Sequence, residues 1–197
     1  MRIGKNIRVF KSSILEQFTY VHPVMPIALW GPLVVYWFTN GMISHDTSLV
    51  HCTALALEGL LVWTISEYLL HRFIFHFEPH GPFQERIAFL IHGIHHDDPL
   101  DERRLLMPPV AAGILAIIFY ALFWLLLGTH HVQPFFAGFI TGYLCYDYTH
   151  FAVHFWNPKS ALFRRLKQNH MLHHYVSPNK RFGVSGSLWD HVFGTFG

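Results

Sequence analysis

PVAAGILAIIFYALFWLLL, residues Pro109–Leu127, runs nineteen residues without a charge, close to the ~20 an α-helix needs to cross the hydrocarbon core of a bilayer. On either side lie comparable stretches. Val24–Ile43 and Val132–Phe151 are similarly apolar, the second with Asp147 near its end, and Leu49–Leu70 is long enough but holds His51, Glu58 and Glu67. The 197 residues are 52% hydrophobic, 17% aromatic and 13% charged, about half the charge of an ordinary soluble domain. One unit is expected at this length. The competing reading, in which these are buried helices of a soluble protein, is disfavoured by the placement of the cations.

With four spans, all fourteen Lys and Arg fall on one side. They lie at Arg2, Lys5, Arg8 and Lys11; at Arg72, Arg86, Arg103 and Arg104; and at Lys159, Arg164, Arg165, Lys167, Lys180 and Arg181. That side holds both termini and the middle loop, whereas the connections near Thr39–Ser48 and Gly128–Gln133 hold none. By the positive-inside rule the basic side is cytoplasmic, in a bacterial cytoplasmic membrane or the endoplasmic reticulum. The expected fold is an all-α integral-membrane protein of four transmembrane helices in two hairpins. Its parts are an interfacial segment 1–23, a first hairpin 24–70, a cytoplasmic segment 71–108, a second hairpin 109–151, and a cytoplasmic segment and tail 152–197.

Local signals refine this plan. Ile7, Phe10, Ile14, Phe18 and Val21 recur at helical spacing and predict a helix lying on the membrane surface. No apolar core and cleavage site follow the first basic residues, so a signal peptide is not expected. Cys52 and Cys145 fall in spans and read as small core residues without a disulfide. Pro79, Gly81 and Pro82 break the chain, a helix is predicted over 83–96, and Asn157-Pro158 offers a cap for another reaching about His174. The glycines at 183, 186, 194 and 197 make the tail compact but irregular. A net charge of +2 gives no sign of nucleic-acid binding.

Seventeen histidines are several times the usual share, and ten of them form four clusters: His71/His76, His92/His95/His96, His150/His154 and His170/His173/His174. Each cluster lies at the cytoplasmic end of a span or just after it, so all four converge on one layer. Residues four apart on an α-helix share a face, about 40° apart. His92 with His96, His150 with His154, and His170 with His174 can therefore each grip one ion. His95 and His173 project about 60° to the side of the first histidine in their clusters, toward a second ion. His71 and His76, five apart, sit about 140° round an ideal helix, which must end or distort there. Imidazole suits zinc, copper, iron and nickel. Ten ligands exceed one ion's needs, and a structural zinc takes four, usually with cysteines. Two ions with five imidazoles each leave open positions for oxygen. Iron fits that redox task, although zinc binds more tightly and is expected in some purified protein.

The stretches EYLLHRFIFHFEPH (Glu67–His80), HGIHHDDPLDERRLLMPP (His92–Pro109), GYLCYDYTHFAVHF (Gly142–Phe155) and NHMLHHYVSPNKRFGVSGSLWDHVFGT (Asn169–Thr195) resemble the fatty acid hydroxylase/sterol desaturase superfamily of membrane di-iron enzymes. The RLLMPP, YDxTH and FGV…WDxVFGT segments resemble fatty acid 2-hydroxylases in particular. The resemblance implies two iron ions and an O2-dependent hydroxylation of a fatty acyl chain, at C2. It also supports an interleaved ligand set: His71, His76, His92, His96 and His173 on one metal, and His95, His150, His154, His170 and His174 on the other. Many eukaryotic members carry a fused cytochrome b5 domain with an HPGG motif; here His22-Pro23 continues as Val24-Met25. A separate electron donor is therefore expected, such as a cytochrome b5 or ferredoxin system.

Outside the clusters, Tyr146 and Asp147 precede His150 by about one helical turn, and Glu67 precedes His71 by one turn. They are candidates for orienting a ligating imidazole or lining an acyl pocket. Glu58, mid-span, calls for a structural hydrogen bond. His80 and His191 read as structural, and His22, His45, His51, His130 and His131 as non-ligands. Two rival functions stand beside the fatty acyl hydroxylase: a carotenoid or sterol hydroxylase or desaturase of the same chemistry, and a metal storage or transport protein. The third span has no polar residues for a transport path.

Overall fold

The computed structural model describes residues 7–157 and 159–197. Arg2, Lys5 and Pro158, used above for charge sidedness and as a helix start, lie outside the described residues. Helices make up the fold, and among the described residues there is no strand. They are α1 (Ser13–Gln17), α2 (Met25–Ile43), α3 (Leu49–Leu69), α4 (Pro82–Ala88), α5 (Ile94–Asp97), α6 (Pro109–Phe155), α7 (Ala161–Tyr175) and α8 (Leu188–Val192). Two π-helical stretches, Leu70–Phe75 and Phe89–Gly93, follow α3 and α4.

Among the described residues two helices, Leu49–Phe75 and Pro109–Phe155, are long and apolar enough to cross a membrane. At 1.5 Å per residue the second would reach about 70 Å, twice a bilayer core. It breaks at Gly128, whose φ of 72° and ψ of 176° are non-helical. The expected external connection Gly128–Gln133 thus contracts to a single glycine. This positive φ is one that a side chain would disfavour. The helix after the break runs past the predicted end at Phe151 to Phe155, so His150 and His154 both lie on it.

The chain divides into two compact units. One comprises His22–Thr64 and Met107–Cys145. Here the backbones of α3 and α6 touch, because a Cβ on Gly138 would lie 1.8 Å from the Ala56 carbonyl oxygen, and one on Gly59 would lie 1.9 Å from that of Phe135. Close approach through small residues is how helices associate where no water drives them together. Asn40 donates to Gln133 Oε1 at 2.7 Å; Trp37 meets Phe136 and Phe123 meets Phe139 edge to face, while Phe136 and Phe139 stack. The outer surface is the reverse of a soluble protein's: Ile117, Leu125 and Leu126 are each at least 70% exposed. Exposed apolar side chains of this kind suit a membrane protein, whose solvent is lipid.

The other unit comprises the segment through Val21, Ile65–Leu106 and Tyr146–Gly197. The predicted surface helix over 7–21 shrinks to α1. The Glu16 carboxylate accepts the Val9 and Phe10 N–H groups, which folds the chain back, and it pairs with Arg104. Arg104 also reaches Asp101 at 3.1 Å and Thr19 Oγ1 at 3.1 Å, over the Tyr20 ring. Val21, buried with Leu105 and Leu106, has left the stripe on which Ile14 and Phe18 stay exposed. The helix expected to start at Asn157-Pro158 is capped instead by Ser160, whose hydroxyl accepts from Phe163 N. Cys52 is buried as expected, but Cys145 is exposed, and both are free thiols. Glu58 is exposed and makes no hydrogen bond among the described residues, contrary to the expected structural partner.

Candidate metal centre

The π-turn after α3 resolves the awkward spacing of the first pair. Its hydrogen bonds run i→i+5, which stacks residues five apart, and His76 N–H donates to the His71 carbonyl at 3.1 Å. The predicted helix over 83–96 likewise forms with a π-turn inserted at Phe89–Gly93, immediately before His95 and His96. His150 and His154 come from the end of α6, and His170, His173 and His174 from the last turns of α7.

The ten clustered histidines gather into two groups of five. His71, His76, His92, His96 and His173 form one; His95, His150, His154, His170 and His174 form the other, and the ring nitrogens within each lie within 4.8 Å of one another. In the first, Nε2 atoms approach at 3.1 Å (His71–His92 and His92–His96) and 3.0 Å (His76–His173). In the second the separations are 3.0 Å (His95–His150, His95–His174 and His170–His174) and 2.8 Å (His154–His170). The groups are interleaved. His173 leaves its α7 neighbours to join the residues of 71–96, while His95 joins those of 150–174.

The donor set fits a transition metal. Two nitrogens bonded to one ion at about 2.1 Å and about 90° apart lie about 3.0 Å from each other, which matches these separations. Burial, then the neighbouring imidazoles, pushes His92, His95 and His170 well below the usual histidine range. Burial and His173 hold His76 at about 3 and His96 at about 4. Burial also lowers His174, and lowers His173 against the Lys180 carbonyl that favours its protonated form. These imidazoles are therefore neutral at pH 7, with lone pairs available to a cation.

Around the rings, His71 Nδ1 meets the Phe182 carbonyl at 2.6 Å and His173 Nδ1 meets the Lys180 carbonyl at 2.7 Å. The Phe75 ring stacks on His92 and the Tyr146 ring on His150. Glu67 is buried but faces the tail, accepting from Val184 N and Ser185 N at 2.8 Å and from the Ser185 hydroxyl. Asp190 accepts from Phe182 N, Gly183 N and Thr195 Oγ1 at 2.7–2.9 Å. Asp147 is 1% exposed. Asp190 lies in the WDxVFGT segment but was not singled out, because two of its three partners are backbone groups of an irregular tail that no periodicity reveals. Among the other histidines, the exposed His191 donates from Nδ1 to the Ser187 carbonyl at 2.7 Å and stacks on Phe196, a structural role. His80 is exposed. His22 Nδ1 accepts from Val24 N, and His45 packs on His130 and His51 on His131.

Residues 56–195 match the family model described as fatty acid hydroxylase. The chain belongs to this family. Relatives of the fatty acid hydroxylase chain include a dihydroceramide fatty acyl 2-hydroxylase of Arabidopsis thaliana, 36% identical over 95% of this chain and 79% of the relative. A Rattus norvegicus fatty acid 2-hydroxylase is 34% identical over 98% of this chain and 57% of its own length. A Saccharomyces cerevisiae ceramide very long chain fatty acid hydroxylase is 41% identical over 88% and 45%. The chain thus spans only about half the length of these last two. The solved structure of full-length Scs7p, in which only the hydroxylase domain is visible, superposes with a TM-score of 0.86 at 38% identity, covering 93% of this chain and 69% of that one.

Proposed function

We propose that this chain is a membrane di-iron oxygenase that hydroxylates a fatty acyl chain at C2. The observation that carries the reading is the pair of five-imidazole groups in a chain whose relatives are named as fatty acyl 2-hydroxylases. The overall reaction is R–H + O2 + 2 electrons + 2 H⁺ giving R–OH + H2O, with the electrons from a separate donor such as a cytochrome b5 or ferredoxin system. The ten histidines are the proposed ligands, five to each ion. Bound iron supplies the activation of O2 that attack on an unactivated C–H requires.

This chain's residues supply position and dryness. The Phe182 and Lys180 carbonyls aim two imidazoles by accepting from Nδ1, so Nε2 carries the lone pair. Tyr146 braces His150 from one face, and Phe75 covers His92. The proposed setting is four spans, with termini and metals on the cytoplasmic side and the acyl chain entering from the bilayer. Metals just outside the hydrocarbon favour oxidation close to the head group, hence C2. Ceramide- and dihydroceramide-linked chains are candidate substrates because relatives are named for them.

Expression with a compatible donor, followed by mass spectrometry of hydrolysed lipids, tests the position of attack. The expected product is a 2-hydroxy fatty acid. New double bonds, or hydroxyls found only on sterols or carotenoids, would overturn the substrate assignment. Labelling of introduced cysteines in intact cells tests the topology, which predicts reaction at position 46 and none at 160.

A further inference from the structure

The two groups of histidines differ behind the rings. In the group of His71, His76, His92, His96 and His173, two imidazoles rest on backbone carbonyls, Phe182 O behind His71 and Lys180 O behind His173. A carbonyl can only accept, so each Nδ1 carries the proton and each Nε2 presents its lone pair before any ion arrives. In the other group, Nδ1 of His170 and of His174 are buried and have no hydrogen-bond partner. When Nε2 of either ring ligates an ion as neutral imidazole, the proton must sit on Nδ1, where no protein acceptor meets it. A buried N–H without an acceptor opposes ligation.

The carbonyls are themselves held. Phe182 N and Gly183 N donate to the two oxygens of Asp190, at 2.9 and 2.8 Å, and Thr195 Oγ1 donates to the first at 2.7 Å. Tyr68 Oη and Thr195 Oγ1 lie 3.0 Å apart, and Arg181 N donates to the Thr195 carbonyl at 2.8 Å. One step further along, Glu67 takes Val184 N, Ser185 N and the Ser185 hydroxyl. Two buried carboxylates, one from α3 and one from α8, thus clamp residues 182–185, and the peptide that carries the Lys180 carbonyl is tied to Thr195 through Arg181 N. The clamp acts on one histidine group: neither carbonyl it steadies touches a residue of the other.

Building on the dinuclear reading above, we infer that the two metal positions are unequal in affinity. The ion at His71/His76/His92/His96/His173 is the tightly held one, and Asp190 and Glu67 are the positioning residues that make it so. The ion at His95/His150/His154/His170/His174 leaves first. Loss of a hydrogen bond behind a ligating histidine typically weakens metal binding about 10- to 100-fold, so the two positions should differ by roughly tenfold or more.

Chelator titration of zinc-loaded or iron-loaded full-length protein in detergent, with metal per chain read by plasma mass spectrometry, tests this. The expected curve has two steps, each of one ion, separated by at least about tenfold in free metal. His154→Ala should remove the weak step and spare the tight one. Asp190→Asn should shift the tight step toward the weak one by roughly 10- to 100-fold while the weak step stays. Thr195→Val, a milder change, should shift it the same way by less, which covers the case in which Asp190→Asn fails to fold. Two ions released in a single step would overturn the inequality and leave the dinuclear reading standing. Loss of the tight step in His154→Ala would reverse the assignment and refute it. A tight step unmoved in folded Asp190→Asn and Thr195→Val proteins would refute the clamp. Fewer than two ions per chain at saturation would bring down the dinuclear reading itself.

Discussion

Arg104→Met removes the centre of a polar knot that the sequence does not announce. The Arg104 side chain is 4% exposed and pairs with Glu16 and Asp101. It also donates to Thr19 Oγ1 and Tyr20 Oη, each at 3.1 Å. Methionine fills similar volume without charge, leaving two carboxylates facing an apolar chain. Breaking a buried ion pair from one side typically costs about 3–5 kcal/mol. Glu16 retains the backbone N–H groups of Val9 and Phe10, so the low end, about 3 kcal/mol, applies. For a chain of this size that lowers Tm by roughly 6–12 °C. Tryptophan fluorescence during heating in detergent measures the shift, and limited proteolysis near residues 8–20 should report early release of the N-terminal segment. Adding Glu16→Gln and Asp101→Asn to Arg104→Met should recover part of the loss. A shift below about 2 °C in the single variant would refute the stabilising role of this polar knot.

Other consequences follow from the same structure. Gly138→Leu forces a side chain into the Ala56 carbonyl and should abolish folded protein in detergent, whereas Gly113→Ala, with open space around it, should be neutral or stabilising by up to about 1 kcal/mol; equal Tm values for the two would contradict the backbone contact. The metal-free protein should weaken in acid. His76 and His96 are held at about 3 and about 4, against about 6.5 unfolded, so the unfolded chain binds more protons between those values. Stability is full above about pH 6.5 and falls by up to about 1.4 kcal/mol per imidazole per unit below it, so a flat Tm from pH 7.5 to 5.5 after chelation would contradict the burial. His95→Ala and His173→Ala should each abolish turnover while His130→Ala retains it; full activity in either of the first two would refute the crossed grouping.

Much of this arrangement was legible in the sequence because it is carried by periodicity and by rare residues in dense clusters. Four histidine clusters, each at a helix end, already imply a shared layer, and the sideways offsets of His95 and His173 imply an exchange between groups. Local backbone chemistry was less legible. Nothing in LHRFIF specifies a π-turn, although the five-residue spacing of His71 and His76 demands a departure from the α-helix. The apolar stripe from Ile7 to Val21 reads as one helix because spacing is blind to tertiary partners; Glu16 breaks it by capturing Val9 and Phe10. Asp190 and the carbonyls of Lys180 and Phe182 escaped for a related reason. Backbone acceptors have no letter in a sequence, and an irregular tail offers no period from which to place them.

In the proposed function the ten histidines would hold two metals, and an acyl chain would be hydroxylated at C2 with oxygen from O2. The most direct measurement is turnover of protein loaded to two irons per chain, under 18O2 with a reducing donor, followed by mass spectrometry of the released fatty acid. The expected product carries one labelled oxygen at C2 and is lost when zinc replaces iron or when O2 is withheld. Unlabelled product, or an equal yield from the zinc-loaded protein, would contradict it.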